Sequence, residues 1–81
     1  MSMYNFKGIN IMDINKLTAE RIKALRKEKN LTAEKLAWKS ELSKSCVTYA
    51  EKAQRDIKLT TIQSLCNGFN ISIAEFFSTF K

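Results

Sequence analysis

Eighty-one residues with a formal net charge of +6 and a pI near 9.6 allow one domain with a small core, and a field that attracts an anionic partner such as nucleic acid. With no histidine and only two cysteines, Cys46 and Cys66, well apart in the chain, no metal or cofactor site, no disulfide framework and no acid–base catalytic centre is spelled out, so an enzyme is not expected. No apolar run nears the ~20 residues of a membrane span and no secretory leader opens the chain, so a cytoplasmic protein with reduced thiols is expected, with no membrane partner and no evident small-molecule ligand.

The first dozen residues, MSMYNFKGINIM, alternate apolar and polar side chains and read as an N-terminal arm over 1–12, ahead of a domain over 13–81. Without proline, and with only Gly8 and Gly68, the rest has too little turn punctuation for hairpins. Its period is helical. Asp13 is a plausible N-cap for a first helix whose stripe is Ile14, Leu17, Ile22, Leu25 and Arg26, and Asn30 a plausible stop. Thr32 caps a short second helix with Leu36 and Ala37 inward and Lys35, Trp38 and Lys39 outward. Ser43 caps a third helix, and Leu42 and Val47 have the spacing of a hydrophobic staple. Between these two helices Glu41 stands where a tight turn prefers glycine. Thr60 or Thr61 is the expected cap of a fourth helix carrying Ile62, Leu65, Cys66 and Phe69, closed by Asn70. Ser72-Ile73-Ala74-Glu75 is a capping box opening a fifth helix with Phe76, Phe77 and Phe80. The fold class is therefore all-α, a compact five-helix bundle.

On the third helix, Val47, Ala50, Glu51 and Gln54 share one face, and Lys44, Ser45, Thr48, Tyr49 and Lys52 share much of the other. The second set offers donors, acceptors, an aromatic and two cations but no acid. A base edge in the DNA major groove is read by such groups, and a carboxylate there would be repelled by phosphate. Glu51 falls on the inner face, where an unpaired charge is costly, and Arg26 falls on the apolar stripe of the first helix. A bidentate pair between them is one outcome, and snorkelling of both to solvent the other.

The strings ERIKALRKEKNLTAEKLA, LSKSCVTYAEK and TTIQSLCNGFNISIAEFF, in this order and spacing, resemble the Cro/CI-type (XRE-like) helix-turn-helix family of phage repressors and bacterial regulators. The resemblance covers Leu17 to Phe77. It implies a lambda-repressor-like bundle whose third helix enters the major groove while the second crosses the backbone. Carried onto this chain, it implies base reading by Ser43, Lys44, Ser45, Thr48 and Tyr49 and phosphate contacts by Lys52, Gln54, Arg55 and Lys58. It also implies an Arg26–Glu51 salt bridge, and a homodimer, joined through Phe76, Phe77 and Phe80, on a near-palindromic operator. The function implied is a transcriptional repressor of a prophage, mobile element or small operon. The alternative is an antitoxin-like or adaptor module that binds protein, for which exposed aromatics such as Trp38 would serve. The chain departs from the family at Ala33 (usually Gln), at Glu41 and Ala53 (often Gly) and at Ile57 (often Pro). Those departures predict strained or reshaped turns, or a third helix that runs past Ala53.

Overall fold

The computed structural model describes the backbone of residues 11–53 and 55–80 and the side chains of 14–53 and 55–80. Five helices follow in order: α1 Ile11–Glu28, α2 Ala33–Ser40, α3 Lys44–Lys52, α4 Leu59–Phe69 and α5 Ile73–Phe77. This is an all-α bundle of the lambda-repressor type, with no strand among the described residues.

Three of the links are built alike, and the likeness can be read in the sequence: Asn30-Leu31-Thr32, Glu41-Leu42-Ser43 and Asn70-Ile71-Ser72. The first residue of each has positive φ, 57° at Asn30, 57° at Glu41 and 64° at Asn70. The second donates its N–H back across the helix end, Leu31 to Arg26 O at 2.9 Å, Leu42 to Ala37 O at 2.9 Å and Ile71 to Cys66 O at 3.0 Å. This is the Schellman closure, and it turns the apolar second residue onto the core. The third residue caps the next helix: Thr32, Ser43 and Ser72 each accept the backbone N–H three positions on, at 3.0 Å. One tripeptide thus ends a helix, anchors it and starts another.

The apolar member of each tripeptide also fixes where the next helix starts. It lies five residues before a buried side chain: Leu31 before Leu36, Leu42 before Val47, Ile71 before Phe76. That is the staple spacing from N′ to N4. The same spacing from Ile57 to Ile62 explains why α4 begins at Leu59 with Lys58 as its N-cap. Thr60 and Thr61 are not caps; they lie in the first turn, and the cap position has no side-chain hydrogen bond. The staple sets the register here and the hydroxyls do not.

Two expectations for α1 change. Ile11, the first described residue, is already helical, so Asp13 lies inside α1 and residues 11 and 12 of the expected arm are helical. Ile22 and Leu25 are buried as expected, but Ile14 and Leu17 are about half exposed; Thr18 and Ala19 take the inner positions of that turn. The buried Thr18 hydroxyl is satisfied by donating to Ile14 O at 2.8 Å. Tyr4, Phe6 and Ile9 lie outside the described residues.

The core is Ile22, Leu25, Leu36, Val47, Ile62, Leu65, Cys66, Phe69 and Phe76, with Ala37 and Ala50 letting backbones approach. α2 and α4 approach closely at Ser40 and Gly68. A Cβ on Gly68 would overlap the Ser40 hydroxyl and lie 3.1 Å from its Cβ. The Ser40 hydroxyl is buried there without a hydrogen-bond partner. Burial pushes the Cys66 thiol above its ordinary pKa, partly opposed by the charge of Arg21, so it stays neutral. Both cysteines are free thiols.

Arg21 ties α1 to the end of α5. Its Nε donates to Phe76 O at 2.7 Å, a carbonyl near the end of a five-residue helix, and a terminal nitrogen donates to Glu75 O at 2.9 Å, which also accepts from Ser78. Phe76 is fully buried, so it presents no surface to a second copy, contrary to its place in the expected dimer contact. Phe77 and Phe80, edge to face at 5.0 Å, are half-buried and Ile73 is 42% exposed beside them.

Candidate nucleic-acid interface

α3 presents its two faces as the sequence pattern requires. Val47 and Ala50 are buried, and Lys44, Ser45, Tyr49 and Lys52 are exposed with Thr48 half-buried between them. Ser43 leads the helix. Its oxygen accepts the Cys46 N–H, which leaves the hydroxyl hydrogen free to donate outward. Cys46, half-buried, completes the first turn. Lys44 and Lys52 stand at opposite ends of the helix, and α3 itself carries no acid on its exposed side. Glu51, its one carboxylate, points the other way.

That carboxylate is what holds the helix. Arg26 Nε donates to Glu51 Oε2 at 2.7 Å and a terminal nitrogen donates to Oε1 at 3.1 Å, a bidentate bond. A third donor reaches Leu31 O at 3.0 Å. One guanidinium therefore pins α3, the end of α1 and the α1–α2 link together. The side chains are only 20% and 11% exposed, so the snorkelling outcome does not occur.

The joints on either side of α3 keep a glycine-like backbone without glycine. Glu41 has φ 57°, ψ 40° and Ala53 has φ 55°, ψ 32°, both left-handed. α3 stops at Lys52 and does not continue past Ala53. Each residue carries roughly 1–2 kcal/mol of backbone strain that a glycine would not. Glu41 also leaves an exposed carboxylate at the joint that leads into α3.

Beyond Ala53 the chain returns along α3. Arg55 and Lys58 are exposed, and Gln54 lies outside the described residues. Two contacts that sequence reading missed fix this return. Asn15 Nδ2 donates to Asp56 Oδ1 at 2.8 Å, tying the loop to α1 across 41 residues. The Arg55 guanidinium lies over the Tyr49 ring, 4.5 Å from its centre. No local pattern announces the first contact. The second was open to notice, since a sharp turn brings an arginine six positions on back to an exposed tyrosine.

On α2, Trp38 is 77% exposed between the exposed Lys35 and Lys39, and Ala33 is half-buried. No helix among the described residues is long and apolar enough to cross a membrane, and no group of three or more potential metal ligands occurs among them.

A short helix with a polar, acid-free outer face, braced against its predecessor from behind, is the arrangement by which helix-turn-helix DNA-binding domains read a groove. The chain belongs to that family: the family model described as Helix-turn-helix matches residues 22–76, and the relatives place it among the Cro/CI-type regulators. It is similar to control protein C.SmaI of Serratia marcescens, with 32% identity over 65 residues, 80% of this chain and 77% of that protein. It is also similar to the wild-type restriction-modification controller protein C.Esp1396I, with 27% identity and a TM-score of 0.77 over 82% of this chain and 86% of that one. A further structure shows that controller as a tetramer in complex with its natural 35 base-pair operator; it shares 26% identity and a TM-score of 0.77 over 86% of this chain and 90% of that one. The family is one of DNA-binding transcription regulators rather than enzymes.

Proposed function

We propose that this chain is a repressor-type regulator that binds double-stranded DNA sequence-specifically and controls a restriction-modification system or a comparable mobile element. The observation that supports it best is the outer face of α3, where Lys44, Ser45, Thr48 and Lys52 meet solvent without a carboxylate while Glu51 is locked behind by Arg26. Ser43, Lys44, Ser45 and Thr48 read base edges as α3 enters the major groove. Lys52, Arg55 and Lys58, with Gln54, contact phosphates. Working on DNA, the protein acts in the cytoplasm.

One module of this size covers few base pairs, so a homodimer on a near-palindromic site is proposed. Phe77, Phe80 and Ile73 supply its apolar contact. The operator-bound tetramer of the related controller favours two such dimers on adjoining sites. The protein-interaction alternative draws on the exposed Trp38, the half-buried Phe77 and Phe80 and the alanine at position 33, but singly exposed apolar side chains are ordinary on a protein surface.

Selection of bound duplexes from a random-sequence pool, followed by titrations at several salt concentrations, tests the reading. Lys44→Ala is expected to change the preferred base at one position, by roughly 1–3 kcal/mol of discrimination. Lys52→Ala is expected to weaken binding to all duplexes and flatten the log K against log salt slope by about one. Wild-type protein that shows no salt-dependent binding would sink the function, and identical behaviour of the two variants on scrambled DNA would sink the division of roles.

A further inference from the structure

The family resemblance implied base reading by Tyr49, but its ring carries the guanidinium of Arg55 at 4.5 Å. We infer that Tyr49 is a positioning residue: it acts on DNA through Arg55, holding that side chain with its hydrogen-bonding edges turned outward. This rests on the DNA-binding reading above and refines the role of one residue within it.

The geometry begins with the return loop. Ala53 turns the chain in a left-handed conformation, the Asn15–Asp56 bond fixes the loop to α1, and Ile57 seats it on the core. The Arg55 backbone is thus held beside the C-terminal half of α3. Its side chain has no such fixture. Among the described residues it donates no hydrogen bond, and no carboxylate lies within ion-pairing distance, Asp56 next to it being engaged by Asn15. Among those residues the ring of Tyr49 is its one partner. Tyr49 is 42% exposed, so the stack forms on the surface and restricts the arginine without burying it.

A guanidinium held over a ring without spending its N–H groups keeps all five donors for a partner, and a planar fork of this kind bonds a phosphate in bidentate fashion. An unstacked arginine at the same place would have to order several torsions on binding. The tyrosine removes part of that cost beforehand. The same contact covers one face of the ring, which limits its use as a reader of bases.

The test is a double-mutant cycle on the full chain, with the duplex best bound by wild-type protein and a scrambled duplex as probes. Tyr49→Phe keeps the ring and is expected to bind as wild type. Tyr49→Leu is expected to lose about two- to fivefold on both duplexes, the range of an exposed cation–π contact. Arg55→Ala is expected to lose more and to flatten the salt slope by about one. In the Arg55→Ala background, Tyr49→Leu should have no further effect. In the free protein, the side-chain proton resonances of Arg55 should be shifted upfield by the ring, and that shift should survive in Tyr49→Phe and vanish in Tyr49→Leu. Equal losses from Tyr49→Leu in both backgrounds, or a changed base preference on losing Tyr49 when Arg55 is absent, would overturn the positioning role. Failure of the wild type to bind any duplex in a salt-dependent way would remove the DNA reading itself, a distinct result.

Discussion

Replacing Glu51 with leucine leaves the Arg26 guanidinium facing an apolar group, with only its bond to Leu31 O kept. Two charge-assisted bonds, at 2.7 and 3.1 Å, are lost, and at 20% exposure water re-solvates the cation only in part. Breaking a fully buried pair costs roughly 3–5 kcal/mol, and partial access to water lowers this to about 2–4. Arg26→Met should cost a similar amount, since it strands a carboxylate only 11% exposed. A domain of 81 residues is stable by roughly 4–12 kcal/mol, so either change consumes a large share. The double variant Arg26→Met/Glu51→Leu removes both desolvated charges together and should return to within about 1 kcal/mol of wild type. Urea denaturation followed by far-UV circular dichroism, with thiols kept reduced, gives all four stabilities. Additive losses in the double variant, or single losses below about 0.5 kcal/mol, would refute the view that this pair is what fixes α3.

Glu41→Gly removes left-handed strain of roughly 1–2 kcal/mol and adds chain entropy to the unfolded state, for a net gain of about 0.5–1 kcal/mol. A melting temperature higher by roughly 2–6 °C is expected, and an unchanged or lower one would mean that Glu41 makes a compensating contact. Gly68→Ala should destabilise by roughly 1–3 kcal/mol through overlap with Ser40, and Ser40→Ala in the same chain should recover part of that loss in thermal melts. On its own, Ser40→Ala should be neutral or stabilising, because it removes a buried hydroxyl without a partner. In native protein a thiol-reactive dye should label Cys46 first and Cys66 only on unfolding; equal rates would contradict the burial of Cys66 and its raised pKa.

The helices were legible because their signals are local. Period, cap and staple agree over short windows at Leu31–Leu36 and Leu42–Val47, and Ser43 and Thr32 cap where the sequence says they should. α4 was misplaced by two or three residues for an instructive reason: Thr60 and Thr61 offered hydroxyls, but the buried pair Ile57 and Ile62 outweighs a hydroxyl cap. The stripe of α1 was drawn too far toward its start, since periodicity cannot tell which end of a helix runs out of neighbours. For the candidate site, the acid-free face of α3 could be read directly. The Asn15 partner of Asp56 could not, and the pairing of Arg55 with Tyr49 could be noticed only by supposing the sharp turn at Ala53, because each depends on where a left-handed residue sends the chain.

The repeated tripeptide gives the domain a division of labour. Its joints are specified by Asn30-Leu31-Thr32, Glu41-Leu42-Ser43 and Asn70-Ile71-Ser72, none of which needs to know what the next helix displays. Lys44, Ser45 and Thr48 lie outside the three tripeptides, so on the proposed reading they form a replaceable insert: changing them would alter what is read and leave the frame alone. Ser43 is the exception, bound to both duties at once. At that position the alphabet shrinks to the few side chains that can cap a helix, so under the proposed docking whatever DNA this frame meets is approached first by one of them.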